Sequence, residues 1–283
     1  MKEMSGNETV LITGASSGIG MHLAHEFARH GHSLVLLAPG EPELHRVAAD
    51  LQAQHNAQVR VIACDLEQPQ IPARVFDELL RDDVQVDILV NNAGHGQKGK
   101  FWEIPIDRHM SIVRLNVEAV LRMTALFLPP MLQRGHGRLL NTASIAGFEP
   151  GPLLAVYHAS KAFVLSWSEA LTTELQDTPV SVTTLCPGPT DTDFFPKAEL
   201  EDSRAFQEAN LMAPQDVAKA GYEALAAGER IIVPGAANKA LVFSRRFMSE
   251  SMEAKMNEKL YTDVPPEKRK RARGDMERGA RDK

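Results

Sequence analysis

The sequence predicts an α/β fold: a parallel sheet with helices on both faces. Short apolar, β-branched runs of four to six residues alternate along the chain with amphipathic stretches of helical period. The runs lack polar alternation, which marks strands covered on both sides. The first run, Thr9–Ile12, opens into a glycine-rich turn, Thr13-Gly14-Ala15-Ser16-Ser17-Gly18-Ile19-Gly20, and then a helix. No composition break divides the body. One domain is expected over 1–236, then a helical extension over 237–262 and a basic, disordered tail over 263–283.

The elements follow in order. Thr9–Ile12 reads as a buried strand. Gly18–His30 reads as a helix with Ile19, Leu23, Ala24 and Phe27 on one face, stopped by Gly31. Ser33–Leu37 reads as a strand, Glu41–Gln54 as a helix with Leu44, Val47, Ala48 and Leu51 inward, and Gln58–Ala63 as the third strand. A helix is expected over Pro72–Arg81 and a fourth strand over Val86–Val90, closed by Asn91-Asn92-Ala93-Gly94. A long helix is expected over Arg108–Leu128, ending at Pro129-Pro130 because proline breaks the hydrogen-bond ladder. Then come a strand over Arg138–Thr142, a long helix over Leu153–Leu175 and a strand over Val180–Leu185, stopped by Pro187-Gly188-Pro189. Phe194–Leu211 has no clear period and reads as a mobile flap. Pro214–Ala226 reads as a helix with proline at its favoured start, and Arg230–Val233 as a seventh strand. Asn238–Leu260 reads as one further helix, with Met248, Met252, Met256 and Leu260 in a stripe. It packs on its own domain, or covers a substrate site, a partner subunit or a membrane surface.

Composition narrows the function classes. With 283 residues and 43% hydrophobic content, the chain can bury a sizeable core. Glu267–Lys283 holds eight Lys/Arg against four Asp/Glu, a charge of +4 that leaves −10 for the body of a chain whose net is −6. That acidic body argues against nucleic-acid binding, and the tail offers no aromatic residue to stack on bases. Two cysteines, Cys64 and Cys186, make no disulfide framework and point to a reducing compartment. No apolar run reaches a membrane span and no signal-peptide pattern opens the chain, so a cytoplasmic protein is expected. No His/Cys/Asp/Glu cluster has metal-ligand spacing.

The candidate chemistry lies at a few points. Gly14 permits a tight turn, while Gly18 and Gly20 keep side chains away from a phosphate and from the strand. The helix start offers free N–H groups and partial positive charge. Dinucleotide binding is therefore expected here. Tyr157 and Lys161, four apart on a helix, share one face; an ammonium beside a phenol favours the phenolate and makes the pair a candidate general acid/base. Taken alone, the pair is as readily a half-buried aromatic beside a solvated charge. Ser144, just past a strand, is a turn residue or a hydrogen-bond donor to a substrate oxygen. Asn116 is a poor helix former inside a helix, or an ordinary surface residue.

Taken together, Thr13-Gly14-x-x-x-Gly18-x-Gly20, Asn91-Asn92-Ala93-Gly94, Asn116, Ser144, Tyr157-x-x-x-Lys161 and Pro187-Gly188 resemble, in order and spacing, the short-chain dehydrogenase/reductase family over about residues 8–235. The resemblance implies a Rossmann-type doubly wound sheet of seven parallel strands, ordered 3-2-1-4-5-6-7, holding a nicotinamide cofactor at the carboxyl ends. Implied cofactor-binding residues are Gly14, Ser16, Ser17, Gly18, Ile19, Gly20, Asp65, Leu66, Asn92, Ala93, Gly94, Tyr157, Lys161, Pro187, Gly188, Thr190 and Thr192. Implied catalytic residues are Asn116, Ser144, Tyr157 and Lys161. Hydride would pass between nicotinamide and substrate carbon. Tyr157 would exchange the proton, Lys161 would lower its pKa and hold the ribose, Ser144 would fix the oxygen, and the Asn116 carbonyl would hold a water leading to Lys161.

The cofactor's phosphate is harder to read. Related chains that prefer NADP carry cations where this one has Pro39 and Ser17, and no carboxylate ends the second strand to favour NAD. NADP is expected on the resemblance. The expected substrate wall is His95, Ile145, Phe148, Leu153, Leu154, Phe194 and Phe195, mostly apolar, which suits a hydrophobic ketone or alcohol. His95 and His158 are spare polar groups of that wall. The run after Lys161 resembles a dimerisation helix, implying a homodimer or homotetramer. A carbonyl reductase is expected. The alternatives are a hydroxysteroid or retinol-type alcohol dehydrogenase, and a cofactor-binding regulatory protein without turnover.

Overall fold

The structure, a computed structural model, describes residues 4 and 6–271. One parallel sheet is built from β1 (Thr9–Thr13), β2 (Ser33–Ala38), β3 (Val59–Ala63), β4 (Ile88–Asn91), β5 (Gly137–Thr142), β6 (Val180–Leu185) and β7 (Ile231–Ile232). Their spatial order is β3-β2-β1-β4-β5-β6-β7, as the resemblance implies. Residues alternate between two cores. Val10 and Ile12 of β1 pack with Leu23 and Phe27 of α1 (Gly18–Arg29), Leu44 of α2 (Glu41–His55) and Val217 of α9 (Pro214–Ala227). Leu11 turns the other way, toward Val75 of α3 (Ile71–Arg81), Phe127 of α5 (Val120–Arg134) and Leu171 of α6 (Ala155–Glu174). The central strands are thus covered on both faces, which explains their unbroken apolar runs. The strand order reverses between β1 and β4, both of which pair in parallel register. There the loops at the carboxyl ends part and leave a crevice.

Three expectations change. The helix expected over Arg108–Leu128 is instead α4 (Ile106–Val113), a π-helical segment over Arg114–Ala119, and α5, which runs through Pro129 and Pro130 to Arg134. Proline strips the donor for the carbonyl one turn back. Ala125 and Pro129 are exposed, so solvent can satisfy that carbonyl and the helix continues.

The single helix expected over Asn238–Leu260 is two, α10 (Ala236–Ser244) and α11 (Glu250–Tyr261), joined by a 3₁₀ turn. Its methionine stripe is not packed into a core: Met248, Met256 and Leu260 border the cleft, Met252 is 55% and Met256 52% exposed, and the buried residues of α11 are Glu253 and Asn257. Asn257 Nδ2 donates to Pro150 O at 2.9 Å, so a hydrogen bond, not apolar contact, chooses the buried face.

The tail expected to be disordered from residue 263 is docked through 271. Val264 is buried, and its N–H donates to Asp202 O at 2.7 Å. Gln207 Oε1 accepts from the backbone of Lys270 and Arg271 at 2.8 and 2.9 Å. Residues 272–283 lie outside the described residues. The flap also has a core of its own. Its one-turn helices α7 (Phe194–Lys197) and α8 (Arg204–Gln207) bury Phe195, Leu200 and Phe206 together with Leu154.

Candidate active site

The glycine turn is locked by the neighbouring strand. Gly14 and Gly18 adopt left-handed backbone, at φ 67° and 55°. A β-carbon on Gly20 would meet Gly14 O at 2.2 Å, so α1 rests directly on the turn. Thr13 Oγ1 accepts from the N–H groups of Asn92 and Ala93 at 2.9 and 3.0 Å, and Asn92 Nδ2 donates back to Thr13 O at 3.0 Å. Ser17, the N-cap of α1, gives no side-chain cap, so the first-turn N–H groups keep no side-chain acceptor. Ser16, Ser17, Gly18 and Ile19 line the crevice. Small residues, unused donors and a positive helix end fit a dinucleotide's pyrophosphate.

Beside this turn the polar residues of β4 and β5 form a buried relay. Asn91 Nδ2 donates to Asn141 Oδ1 at 2.9 Å and Thr124 Oγ1 at 3.1 Å, and Asn141 Nδ2 donates to Ser168 Oγ at 2.9 Å. Asn91 therefore ties β4 to β5 and, through Asn141, to α6, while Asn92 holds the turn.

Asn116 stands in the π-helical segment, a distortion that often marks functional sites. Its side chain clamps one residue from both sides: Oδ1 accepts from His95 N at 3.0 Å and Nδ2 donates to His95 O at 2.9 Å. Nδ2 also donates to Ser160 Oγ at 3.0 Å, linking the clamp to α6. The surface reading of Asn116 is excluded, since it is 1% exposed.

Tyr157 and Lys161 share a face of α6. Lys161 Nζ donates to Thr142 O at 2.8 Å, at the end of β5, and lies 5.9 Å from the Tyr157 ring centre. Ser144 Oγ caps the 3₁₀ turn Ile145–Phe148 by accepting from Ala146 N at 3.1 Å. Phe194 of the flap packs its ring 5.0 Å from that of Tyr157. The expected lowering of the phenol pKa is not what this geometry gives. Burial pushes Tyr157 up to about 12, with the Ser144 hydroxyl pulling the other way, and burial pushes Lys161 down to about 8. The ammonium is spent on the Thr142 carbonyl and sits over the ring, in an enclosed place where desolvation outweighs attraction.

These groups open on one cleft of about 1080 Å³. All the proposed cofactor residues line it except Gly20, which acts by packing beneath the turn. Ser144, Tyr157 and Lys161 line it; Asn116 works from behind. Of the expected substrate wall, His95, Ile145, Leu154, Phe194 and Phe195 are in place. Phe148 and Leu153 are not. Phe148 closes the far side of the 3₁₀ turn against the Ala143, Val164 and Cys186 cluster. Leu153 is in left-handed backbone, at φ 67°, with its carbonyl accepting from Gly99 N at 2.9 Å.

The two histidines divide. His95 lines the cleft, contacts Ser111 Oγ at 2.9 Å and lies 3.5 Å from Glu67 Oε1. His158 is buried off the cleft, Nδ1 at 2.9 Å from Glu149 O and Nε2 at 2.9 Å from Tyr261 OH, and burial lowers its pKa to about 4. It is a strut between α6 and α11.

The extension, read from the sequence as packing on its own domain or covering a substrate site, a partner subunit or a membrane surface, borders the cleft. Arg245, Met248, Met256, Leu260 and Tyr261 of the extension line the cleft beside Glu149. Arg245 is buried, pairs with Glu149 and donates from Nη1 to Ile145 O at 2.9 Å. The methionine period singled out the right segment, but nothing in it marked Arg245. Among the described residues no group of three or more His, Cys, Asp or Glu is placed to hold a metal, and no helix is long and apolar enough to cross a membrane.

A parallel sheet with a phosphate cradle at its switch point and a Tyr–Lys pair beside it defines a nicotinamide-dependent oxidoreductase. Residues 8–203 match the family described as short chain dehydrogenase. A relative from Streptomyces exfoliatus, 1-deoxy-11-beta-hydroxypentalenate dehydrogenase, is 35% identical over 76% of this chain and 78% of its own. A short-chain dehydrogenase from Sphingobium yanoikuyae, solved with NADPH, is 33% identical, with TM-score 0.74 over 85% of this chain and 94% of that one. The bulky-bulky ketone specific alcohol dehydrogenase from Comamonas testosteroni is 31% identical, with TM-score 0.72 over 86% and 93%. The chain belongs to the short-chain dehydrogenase/reductase family. It is an NAD(P)-dependent oxidoreductase acting on CH–OH and ketone groups.

Proposed function

We propose that the protein is a carbonyl reductase for a bulky, hydrophobic ketone, or for the corresponding secondary alcohol in reverse. The observation that carries this reading is the Tyr157 phenol in a cleft whose walls include the apolar Ile145, Leu154, Phe194, Phe195, Met248, Met256 and Leu260, with the charges of Arg245 and Glu149 paired to each other. Such a wall rewards an apolar substrate and offers little to a sugar. The Comamonas testosteroni structure, specific for bulky-bulky ketones, supports the substrate class.

The chain's own residues divide the work. Tyr157 protonates the carbonyl oxygen in reduction and accepts the alcohol proton in oxidation. Ser144 donates to that oxygen and disperses its charge. Lys161, fixed on Thr142 O, holds positive charge beside the phenol and can turn to ribose hydroxyls. Asn116 positions His95 and Gly94 against both. The nicotinamide cofactor, when bound, supplies or accepts the hydride.

At the ends of β2 and β3 the cleft is lined by Leu37, Ala38, Pro39, Cys64, Asp65, Leu66 and Glu67, without a cation. Both cofactors are therefore accepted, with NADP modestly preferred, in line with the NADPH-bound Sphingobium yanoikuyae neighbour. Assay of bulky ketones, hydroxysteroids, retinoids and sugars with each cofactor tests the reading. Bulky ketones as best substrates support it; sugars as best substrates, or no turnover with any carbonyl, refute it.

A further inference from the structure

The cleft has a polar end. Ser144 opens the 3₁₀ turn Ile145–Phe148 and Glu149 closes it. A 3₁₀ turn rises about 2 Å per residue, which sets Glu149 roughly 10 Å along from Ser144, about one ring system away from the place of the substrate oxygen. Arg245 lies against this turn: Nη1 donates to Ile145 O at 2.9 Å, and the guanidinium pairs with Glu149. Two residues of α11 complete the polar end. Glu253 and Asn257 stand four apart on one helix face. They are 7% and 5% exposed, and both line the cleft with Arg245 and Glu149.

The charges here do not cancel. Arg245 brings one positive charge, and Glu149 takes it. Among the described residues, the Glu253 carboxylate meets neither a hydrogen-bond donor nor a cation at ion-pair distance. Its place in the first turn of α11 eases the burial, but a partial charge is not a partner. Its field reaches Glu149: burial raises the Glu149 pKa, Arg245 and Asn257 pull it down, and Glu253 pushes it up again. Asn257 Nδ2 donates to Pro150 O at 2.9 Å, which fixes the amide and leaves Oδ1 as a second acceptor without a donor among the described residues. The donors nearby are closed off. Arg245 Nε and Nη2 are sealed from the cleft, and the Tyr261 hydroxyl is engaged with His158 Nε2 at 2.9 Å. Acceptors alone therefore face the opening. A buried carboxylate without a donor destabilises the folded chain, and a donor entering from the cleft removes that penalty.

We propose that Glu253 and Asn257 form a substrate subsite for a hydrogen-bond donor, a hydroxyl or an ammonium, carried about one ring system away from the reacting carbonyl. The proposal rests on the carbonyl-reductase reading and narrows its substrate class: the bulky ketone is apolar along its body and bears one donor at its far end. The donor gives its hydrogen to the Glu253 carboxylate, with Asn257 Oδ1 beside it. A carboxylate at the same place is rejected, because it meets the Glu253 charge and finds no available cation.

The test measures kcat/KM of the whole protein, at saturating cofactor, on cyclohexyl phenyl ketones bearing a para methyl, hydroxymethyl, aminomethyl or carboxylate group. The hydroxymethyl and aminomethyl compounds should exceed the methyl compound by about ten- to a hundredfold, the range of a hydrogen bond to a charged group. The carboxylate compound should be the poorest. Glu253→Met should erase the preference, through KM more than kcat. Glu253→Gln keeps an acceptor without the charge, so it should retain part of the hydroxymethyl preference and lose most of the aminomethyl one. Glu253→Met should also raise the melting temperature of the ligand-free protein, because it removes a buried charge without a partner; a merely structural carboxylate would do the reverse. No advantage of either donor-bearing ketone over the methyl ketone would overturn the proposal. So would a preference that survives Glu253→Met, or a fall in that variant's melting temperature. Failure of the wild type to turn over any of the four ketones would instead refute the carbonyl-reductase reading, a separate and distinguishable result.

Discussion

Replacing Asn116 with alanine removes three hydrogen bonds at once: to His95 N at 3.0 Å, to His95 O at 2.9 Å and to Ser160 Oγ at 3.0 Å. Ser160 Oγ keeps its bond to Tyr157 O at 2.7 Å, so its loss is slight. The two His95 backbone groups have no replacement and stay partly enclosed. Orphaned polar groups of this kind cost about 1–3 kcal/mol each, and partial access to solvent puts the sum at roughly 2–4 kcal/mol. For a chain of this size that lowers the melting temperature by about 3–7 °C. The kinetic effect follows from position. A β-carbon on Gly94 would lie 3.1 Å from Asn116 Oδ1 and 3.4 Å from Lys161 Nζ, so slack in this loop reaches the acid/base pair directly. Misplacement on the scale of an ångström costs up to about 10²-fold in rate. Thermal unfolding and steady-state kinetics at saturating cofactor should therefore show a destabilised enzyme whose kcat falls more than its KM rises. An unchanged melting temperature with unchanged kcat would refute the clamp.

Three further outcomes follow. Gly20→Ala forces a β-carbon to within 2.2 Å of Gly14 O, a backbone atom that cannot yield; cofactor Kd should rise at least about tenfold and stability fall by about 1–3 kcal/mol, read by titration and melting. Arg245→Met strands the Glu149 carboxylate, whose pKa burial already raises against the pull of Arg245; it should cost about 3–5 kcal/mol in denaturant melts, with Glu149→Gln in the same chain recovering most of it. His158 stays neutral down to about 4 in the folded state, whereas the unfolded chain takes up its proton near 6.5. Its contribution is complete above pH 6.5 and is lost as pH falls toward 4, by roughly 3 kcal/mol; urea melts across that range should show the decline, and His158→Gln should make it shallower, with His22, which burial also holds down to about 4, keeping part of it.

The sheet was legible because its strands, covered on both faces, read as apolar runs and each ends in turn chemistry. The cradle was legible because Gly14, Gly18 and Gly20 are demanded by backbone geometry that sequence displays. What sequence hid depends on tertiary choice. The methionine period marked the segment that borders the cleft, but not its buried anchors: Asn257 and Arg245 reach the backbone carbonyls of Pro150 and Ile145, and those hydrogen bonds set how the extension docks. Pro129-Pro130 should have ended a helix, yet exposure of the freed Ala125 carbonyl removed the penalty. Phe148 and Leu153 were placed on the substrate wall by proximity to Ser144, but a 3₁₀ turn and a left-handed residue direct them elsewhere.

The central claim is that Tyr157 moves the proton while the cradle holds the cofactor. Tyr157→Phe removes one hydroxyl and leaves the ring contact with Phe194 in place. Cofactor titration and turnover of the best ketone, measured on the same preparation, test it most directly. The account predicts a cofactor Kd within about twofold of the wild type and kcat lower by about 10²–10⁴-fold. A variant that keeps near-normal turnover would contradict it.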